Sequence, residues 1–194
     1  MKLLEERIKK DGTIKPGGIL KVDNFLNHQI DPELMFEMAQ ELKRLYAGCE
    51  ITKILTVEAS GIAMAIMAAY ILGCPIVFAK KSRSKNIAED VYSAEVASFT
   101  HGNTNTVVVS KEYLHPGEKI LLIDDFLATG AALKGLLEIC NQAGAEVVGC
   151  GIAVEKVFQG GGNELREKGI RVESLAMISS MTDDSIEFVQ SAQN

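Results

Sequence analysis

The 194-residue sequence contains no tryptophan, only four prolines and four cysteines, and no excess of basic residues. The cysteines are widely spaced, and neither a Cys-x-x-Cys pair nor a neighbouring histidine completes a zinc-binding set. We therefore expect small buried thiols in a reducing, cytoplasmic environment. With a formal net charge of -6, the chain is not expected to bind nucleic acid through a basic surface, so any phosphate ligand should be held at a local site. The cysteines are Cys49, Cys74, Cys140 and Cys150.

Long hydrophobic runs are scarce as well. Residues 59–79 form a stretch of 21 residues without a formal charge, which is long enough in principle to span a bilayer. Ser60 and Gly61 open this stretch as a turn. Its helical part ends at Gly73 and Pro75, so a buried helix followed by a buried strand is the better interpretation. The N-terminal residues MKLLEERIKK have the spacing of a helix and lack the apolar core of a signal peptide, and no membrane association is expected.

Short apolar segments alternate with helical segments through the middle of the chain. Such segments are typical of strands buried on both faces of a parallel sheet. A helix is also predicted from Asp31, an N-cap acceptor followed by proline, to about residue 47. This order predicts a single α/β domain, residues 1–194, with a central, mainly parallel, doubly wound sheet flanked by helices. The predicted strands are 51–57, 75–79, 119–123 and 146–154, the helices between them are 61–72 and 130–143, and a flexible turn at 160–162 precedes a short helix at 163–168.

Two regions depart from this alternation. Residues 80–105 begin with polar residues and are longer than a simple connection requires, so we expect a flexible loop that is either functional or loose. A hairpin of residues 92–99 and 106–110 is predicted across it, with its turn at residues 101–103. Residues 1–30 precede the alternating core, and their second half is rich in Gly, Asn and His. They are predicted to contribute a small cap, or hood, over the rest of the domain.

The segment 120–133 has the residue types needed to hold a phosphorylated ribose. Asp124 and Asp125 follow a predicted buried strand, and a run of small residues at 128–132 leads into a helix. Ligands of open parallel sheets bind at this end of the strands, and the free N–H groups of a helix start favour phosphate. Adjacent carboxylates repel phosphate, so they should face hydroxyls or a cation. A ribose 5-phosphate meets both requirements. A plain turn with Asp125 as the helix cap would leave the run of small residues unexplained. The sequence contains neither a P-loop nor the glycine pattern of dinucleotide-binding proteins.

Residues 120–130, with the sequence ILLIDDFLATG, resemble the phosphoribosyl pyrophosphate (PRPP) motif of the type I phosphoribosyltransferases. In that motif a hydrophobic strand leads to an acidic pair and then to a loop of small residues with Thr-Gly. The resemblance to bacterial, purine-specific members covers nearly the whole chain, from MKLLEERI through residues 17–30, GGILKVDNFLNHQI, to residues 171–175, RVESL. It implies the type I phosphoribosyltransferase fold, with a small N-terminal hood and a flexible loop.

Carried over position by position, the resemblance implies how PRPP is held. Asp124 and Asp125 are expected beside the ribose 2- and 3-hydroxyls, as the catalytic residues. Residues 57–61 match the pyrophosphate loop, although their spacing alone is also compatible with a plain strand-to-helix turn. Lys80, Lys81 and Arg83 match the mobile catalytic loop. Without the resemblance, these three cations would be interpreted as a solvated charge run. The expected 5-phosphate contacts are Ala128, Thr129, Gly130, Ala131 and Ala132. The expected pyrophosphate contacts are Glu58, Ala59, Ser60, Gly61 and Lys81.

The purine base should be recognised elsewhere in the chain. Lys156 follows the predicted strand 146–154, and its ammonium is a donor that suits a 6-oxo group and not a 6-amino group. Taken alone, Lys156 is better explained as an exposed lysine at the rim of the fold. The resemblance places Leu20 and Asn27 in the hood over the base, where the Asn27 amide donates to a 2-oxo group or, when flipped, accepts from a 2-amino group. Leu20, Asn27 and Lys156 are therefore the expected xanthine-binding residues.

The resemblance implies a purine salvage enzyme that transfers the 5-phosphoribosyl group from PRPP to N9 of xanthine and releases xanthosine monophosphate (XMP) and pyrophosphate. Mg²⁺ is expected to accompany PRPP, bound mainly through substrate oxygens and with no direct protein ligand. A homodimer is also implied. Guanine, hypoxanthine or adenine as the base is the near alternative. A PRPP-sensing regulator that binds nucleic acid is the distant one, because the N-terminal region contains no recognition helix with clustered basic residues.

Overall fold

Strands and helices alternate along the chain in the predicted order. The computed structural model describes residues 1–82, 90–97 and 104–190. Its α-helices are α1 (Lys2–Asp11), α2 (Pro32–Leu45), α3 (Gly61–Leu72), α4 (Ala131–Ala143) and α5 (Gly161–Glu167). Its strands are β1 (Thr13–Lys15), β2 (Ile19–Lys21), β3 (Lys53–Val57), β4 (Ile76–Ser82), β5 (Val91–Ala97), β6 (Thr104–Ser110), β7 (Lys119–Leu127), β8 (Glu146–Lys156), β9 (Val172–Met181) and β10 (Ile186–Phe188).

The strands β3 to β10 form one sheet in the order β10-β9-β8-β7-β3-β4-β6-β5. Its central strands, from β9 to β4, are parallel to one another. The outer strands β10, β6 and β5 are joined by antiparallel pairing. The prediction of a mainly parallel sheet in an α/β fold is thus confirmed.

Apolar residues cover both faces of this sheet. Helices α1 to α3 pack on one face through side chains such as Leu4, Met38 and Met64. Helices α4 and α5 pack on the other face through side chains such as Leu136 and Leu165. Every residue of β3 is buried, including the polar Lys53 and Thr56, which explains why this central strand shows no alternation of apolar and exposed polar residues. Because β3, β4, β7 and β8 are parallel, their carboxyl ends meet at one edge of the sheet.

The predicted helix boundaries hold where a local interaction sets them. Asp31 caps α2 by accepting a hydrogen bond from the Leu34 N–H at 3.2 Å. That bond, together with the Arg7 guanidinium, keeps the pKa of Asp31 below its ordinary value. Helices α3 and α4 end at Gly73 and Gly144, whose positive φ angles of 73° and 68° are readily adopted only by glycine. These helix ends are set by residues that are close in sequence, so the sequence pattern predicts them.

The N-terminal region lies outside the main sheet, as predicted. Strands β1 and β2 form a separate antiparallel pair, and a short π-helical turn, Asp23–Asn27, follows them. The turn is anchored to the helices of the adjacent layer by Phe25 and Leu26, which are both buried. The hairpin and the turn are therefore attached to the domain core through apolar packing.

Several predicted boundaries differ from the structure. Strand β7 was predicted to stop at residue 123 but continues to Leu127, because its ladder with β8 runs on to the pair Leu127–Glu155. Strand β4 continues to Ser82 through pairing with β6, so the predicted loop begins as a strand. Strands β5 and β6 confirm the predicted hairpin. The predicted hairpin turn at residues 101–103 and the loop cation Arg83 lie outside the described residues.

Two further expectations hold only in part. The predicted flexible turn at 160–162 is largely helical, since Gly161 and Gly162 are buried in the first turn of α5. Cys140 and Cys150 are buried, and burial raises the pKa of each thiol to about 12. Cys49 and Cys74 are only half-buried, because they lie in the connections before β3 and β4, at the edge of the core. Among the described residues, no helix is both long and apolar enough to cross a membrane.

Candidate active site

The carboxyl ends of the parallel strands open into two adjoining cavities. The first, of about 200 Å³, lies between β3, β4 and β7. The second, of about 180 Å³, lies between β7 and the start of α4. Asp124, Val96 and Ala132 line both cavities. The first is further lined by Val57, Glu58, Ala59, Ser60, Gly61, Lys81, Asn105, Val107 and Asp125, and the second by Phe126, Leu127, Ala128, Thr129, Gly130, Ala131 and Leu133.

Nearly all the predicted PRPP contacts therefore meet in one place. The small residues 128–132 surround the second cavity, and residues 58–61 and Lys81 surround the first. These segments are far apart in sequence but come after neighbouring parallel strands. The first turn of α4 begins here, where its N–H groups have no partner within the helix and its dipole favours an anion. Gly130 precedes that turn with a φ of 78°, and the Thr129 side chain is exposed.

The acidic pair lies between the two cavities. Asp124 is only 5% exposed, whereas Asp125 is half-buried. The Asp125 N–H donates to Asp124 Oδ1 at 3.0 Å, so the two residues form a local hydrogen-bonded unit. Burial, and next the charge of Asp125, raise the pKa of Asp124 well above its ordinary value, with Lys81 acting in the opposite direction. The pKa of Asp125 is also raised, chiefly by burial. The fold thus holds two carboxyl groups where their ionisation is costly.

The turn after β3 is closely packed against the acidic pair. A Cβ atom added to Gly61 would lie within 3.0 Å of Thr56 Oγ1 and at 3.3 Å from Asp124 Oδ1, so a side chain is excluded there. Glu58 Oε1 accepts a hydrogen bond from the Lys81 N–H at 2.6 Å, which joins this turn to β4. The Glu58–Ala59 peptide bond is cis. The close packing at Gly61 and the hydrogen bond between Glu58 and Lys81 make this turn a wall of the first cavity.

Lys156 lies at the end of β8, in contact with the N-terminal hairpin. Its Nζ donates to the Gly18 carbonyl at 3.1 Å and lies 5.9 Å from the centre of the Phe126 ring. Burial lowers the pKa of Lys156, and the side chain is half-buried, so the alternative of an exposed rim lysine is wrong. Leu20 is buried in the same hairpin. Asn27 ends the turn that follows, with its Oδ1 buried and without a hydrogen-bond partner among the described residues.

Sequence reasoning missed several residues around the cavities. Val96, Asn105 and Val107 of the β5–β6 hairpin form a wall, because that hairpin extends the sheet beside β4. Phe126 was missed because an apolar side chain after the acidic pair has no polar group that indicates contact with a ligand. For the wall residues no sequence signal existed, since only the antiparallel pairing of β6 with β4 brings them to the site.

A buried ion pair behind the site was also missed. The Glu155 carboxylate is 0% exposed and accepts two hydrogen bonds from the Arg166 guanidinium, at 2.8 and 2.7 Å, and one from the Ser174 hydroxyl. These bonds raise the pKa of Arg166. The only signal was a glutamate at the end of an apolar strand, where a partner is needed if the side chain is buried.

Known proteins resemble this chain in sequence over nearly its whole length. The pattern of the phosphoribosyl transferase domain matches residues 21–186. The xanthine phosphoribosyltransferase of Ligilactobacillus salivarius is 52% identical over 188 residues, which are 97% of this chain and 98% of that protein. The protein of the same name from Limosilactobacillus reuteri is 53% identical over 190 residues, which are 98% of this chain and all of that protein.

Solved structures resemble it in fold. The adenine phosphoribosyltransferase of Rhodothermus marinus superimposes with a TM-score of 0.72 at 22% identity and covers 91% of this chain and 99% of its own. The Giardia lamblia enzyme, solved with 9-deazaadenine, gives a TM-score of 0.74 at 22% identity and covers 90% of this chain and 97% of its own. At this identity the likeness concerns the fold alone, and that fold is the type I phosphoribosyltransferase fold.

Proposed function

This chain belongs to the phosphoribosyltransferase family, and from that premise we propose how its site works. It is a glycosyltransferase of purine salvage that transfers the 5-phosphoribosyl group from PRPP to N9 of xanthine and yields XMP and pyrophosphate. The observation that carries the proposal is the pair of adjoining cavities, in which a small-residue helix start, an acidic pair and a second small-residue turn meet. Two anion-binding turns on either side of an acidic pair suit a sugar that carries an anionic group at each end.

Each end of PRPP is assigned to one cavity. Residues 128–132 bind the 5-phosphate, because small side chains leave the N–H groups of the α4 start accessible to it. Residues 58–61 bind pyrophosphate at the start of α3, with Lys81 as the cation facing it. Asp124 and Asp125 then lie beside the ribose hydroxyls between the two anions. The hairpin of β5 and β6 walls the first cavity, and residues 1–30 serve as the hood of a single domain.

Catalysis requires stabilisation of positive charge on the ribose. As the bond from C1 to the pyrophosphate oxygen breaks, pyrophosphate takes the bonding electrons and the sugar acquires oxocarbenium character. N9 of the base then forms the new bond from the opposite face and loses its proton. Asp124 and Asp125 provide a fixed negative environment for that charge, and the anion sites hold the reactants in line.

The residues of the first cavity fit a Mg²⁺ ion that arrives with PRPP. Within the described ranges, no three His, Cys, Asp or Glu side chains form a metal cluster. The carboxylates of Asp124, Asp125 and Glu58 nonetheless line the cavity, where their oxygens could hold the water shell of a hard cation. When bound, the ion would neutralise charge on the leaving pyrophosphate, with substrate oxygens and water as its inner ligands.

Lys156 is assigned to the 6-oxo group of the base. Its ammonium lies 5.9 Å from the centre of the Phe126 ring and donates to the Gly18 carbonyl in the hood hairpin that carries Leu20. Asn27 is assigned to the 2-oxo group because its amide NH2 can donate to that oxygen. Its Oδ1, which is buried without a partner among the described residues, is an acceptor and would take a neighbouring ring N–H of the base. An amino group at position 6 would face an ammonium with no acceptor, which disfavours adenine.

We expect pyrophosphate release from PRPP to be fastest with xanthine when xanthine, guanine, hypoxanthine and adenine are compared. Lys156→Met should lower kcat/KM for xanthine roughly 10²-fold, because a charged hydrogen bond to the base is lost. Lys168→Met, at an exposed site, is the matched control and should leave turnover unchanged. A preference for adenine contradicts the role of Lys156, and a preference for guanine contradicts that of Asn27. Retention on DNA at physiological salt without turnover of any base contradicts the enzyme itself.

We also propose a cytoplasmic homodimer in which the outer face of α3 is the contact. The helix contains no charged residue, yet Ile66 is 53% and Tyr70 80% exposed. A helix that is apolar on all sides is normally covered on all sides. Leu3 and Phe36 extend the apolar surface onto α1 and α2. Because α3 begins at Gly61, a second copy packed here lies next to the pyrophosphate turn.

The homodimer has a direct test. Ile66→Glu/Tyr70→Glu should convert the dimer into a monomer in analytical ultracentrifugation, because burying two carboxylates in the contact is unfavourable. Tyr113→Glu, which changes an exposed tyrosine outside α1, α2 and α3, should leave the dimer intact. A wild-type monomer at all concentrations, or a dimer that survives the double substitution, contradicts this contact.

A further inference from the structure

Helix α5 packs directly on the loop assigned to the 5-phosphate. The Gly161 N–H donates to the Ala128 carbonyl at 3.1 Å. A Cβ atom on Gly161 would lie within 3.0 Å of Ala128 O, Thr129 C and Gly130 N, which is closer than real Cβ atoms approach. The contact is therefore backbone against backbone. The path of the phosphate loop depends on the absence of a side chain at Gly161.

The next residue of the same helix packs on the base side of the site. A Cβ atom on Gly162 would lie within 3.0 Å of Glu155 Oε1 and Cδ. Glu155 is the residue before Lys156, and Arg166, one helical turn further along α5, holds its carboxylate. The end of β8, from which Lys156 projects, is thus fixed by α5 from two sides.

Space, and not backbone conformation, explains the two glycines. Neither Gly161 nor Gly162 has a positive φ, so alanine could adopt both backbone conformations. Glycine in a helix is less favourable than alanine because it loses more conformational entropy on folding. Two glycines in the first turn of a seven-residue helix are therefore a cost to stability, which the close contacts with Ala128 and Glu155 offset.

We propose that Gly161 and Gly162 are positioning residues that tie the two substrate sites to one helix. Gly161 sets the geometry of the 5-phosphate loop, and Gly162, through Glu155, sets the direction of Lys156. The proposal rests on the proposed function of these two sites. Small displacements are enough for an effect, because binding groups must be held within about 0.5 Å and a shift of about 1 Å costs up to roughly 10²-fold.

The test is a pair of single substitutions on adjacent residues. Gly161→Ala should raise KM for PRPP and the Kd for ribose 5-phosphate, measured by calorimetry, about tenfold, and leave KM for xanthine within about twofold. Gly162→Ala should do the reverse, with the larger change in KM for xanthine. General destabilisation does not produce such opposite patterns, since it lowers the active fraction and so affects kcat for both substrates.

A matched control separates positioning from stability. Gly144→Ala forces alanine into a positive φ at the end of α4, away from both cavities, and should lower the melting temperature with both KM values unchanged. If Gly162→Ala does not fold, Arg166→Lys tests the base side in its place, because it keeps the charge but loses the paired hydrogen bonds. KM for xanthine should then rise alone. Equal shifts in both KM values, or none, overturn the proposal. A wild-type protein that turns over no xanthine overturns the proposed function instead.

Discussion

Asp124→Asn/Asp125→Asn should lower kcat about 10³-fold or more while making the protein harder to unfold. Loss of turnover is expected because the amides cannot stabilise positive charge on the ribose, and removal of one preorganised electrostatic group costs about 10²–10³. The gain in stability is expected because both carboxyl groups have raised pKa values caused by burial. The folded protein is thus less stable when they ionise.

The pH dependence of this effect has a definite sign. A carboxyl group whose pKa is higher in the folded than in the unfolded state binds more protons when folded. Unfolding free energy therefore falls as pH rises from the ordinary value of 3.8 towards the raised value of Asp124, and stays low above it. The asparagine variant lacks this decline. Its melting temperature should exceed that of the wild type at neutral pH, and the difference should vanish below about pH 4.

Melting curves across pH and steady-state turnover, measured on the same preparations, check this prediction. Asp183→Asn, at an exposed site, is the matched control and should change neither quantity. Turnover that survives in the double variant means that the acidic pair is structural. A lower melting temperature at neutral pH means that hydrogen bonding, and not burial, dominates the pair.

Arg166→Met should destabilise the fold by roughly 3 kcal/mol. It leaves the Glu155 carboxylate fully buried with only the Ser174 hydroxyl, and removing one partner of a buried ion pair typically costs about 3–5 kcal/mol. The low end applies because the Arg166 side chain is 31% exposed, so water screens part of the interaction. For a chain of this size the melting temperature should fall by roughly 6–12 °C.

Removing the second charge should restore most of the loss. Glu155→Gln/Arg166→Met contains no buried charge, and the glutamine oxygen still accepts from Ser174. Urea denaturation of the wild type and both variants measures the difference, with Lys134→Met as a control for an ion pair that reaches solvent. If the double variant is no more stable than Arg166→Met, the uncompensated charge is not the cause. KM for xanthine in the same variants tests whether Lys156 is displaced when Glu155 loses its hydrogen bonds to Arg166.

Local chemistry made most of the fold predictable. The strands 119–123 and 146–154 were found from apolar runs because both faces of a parallel strand are buried, and α2 was found from its own cap at Asp31. Strand ends were less well predicted. Asp124 and Asp125 look like residues beyond a strand because they are charged, but pairing with β8 keeps them in the ladder.

By itself, the sequence determined the alternating α/β order, the acidic pair followed by a small-residue turn, and the helix ends set by Gly73 and Gly144, because each depends on residues within a few positions of one another. Only the tertiary structure decided how those parts form a site. It brought Lys156 to Gly18, 138 positions away, and placed Gly161 against Ala128. It also buried Asp124, which raises the pKa of that carboxyl group. Such contacts depend on strand order and packing between distant segments, and no local pattern of residues encodes the distance between two backbones.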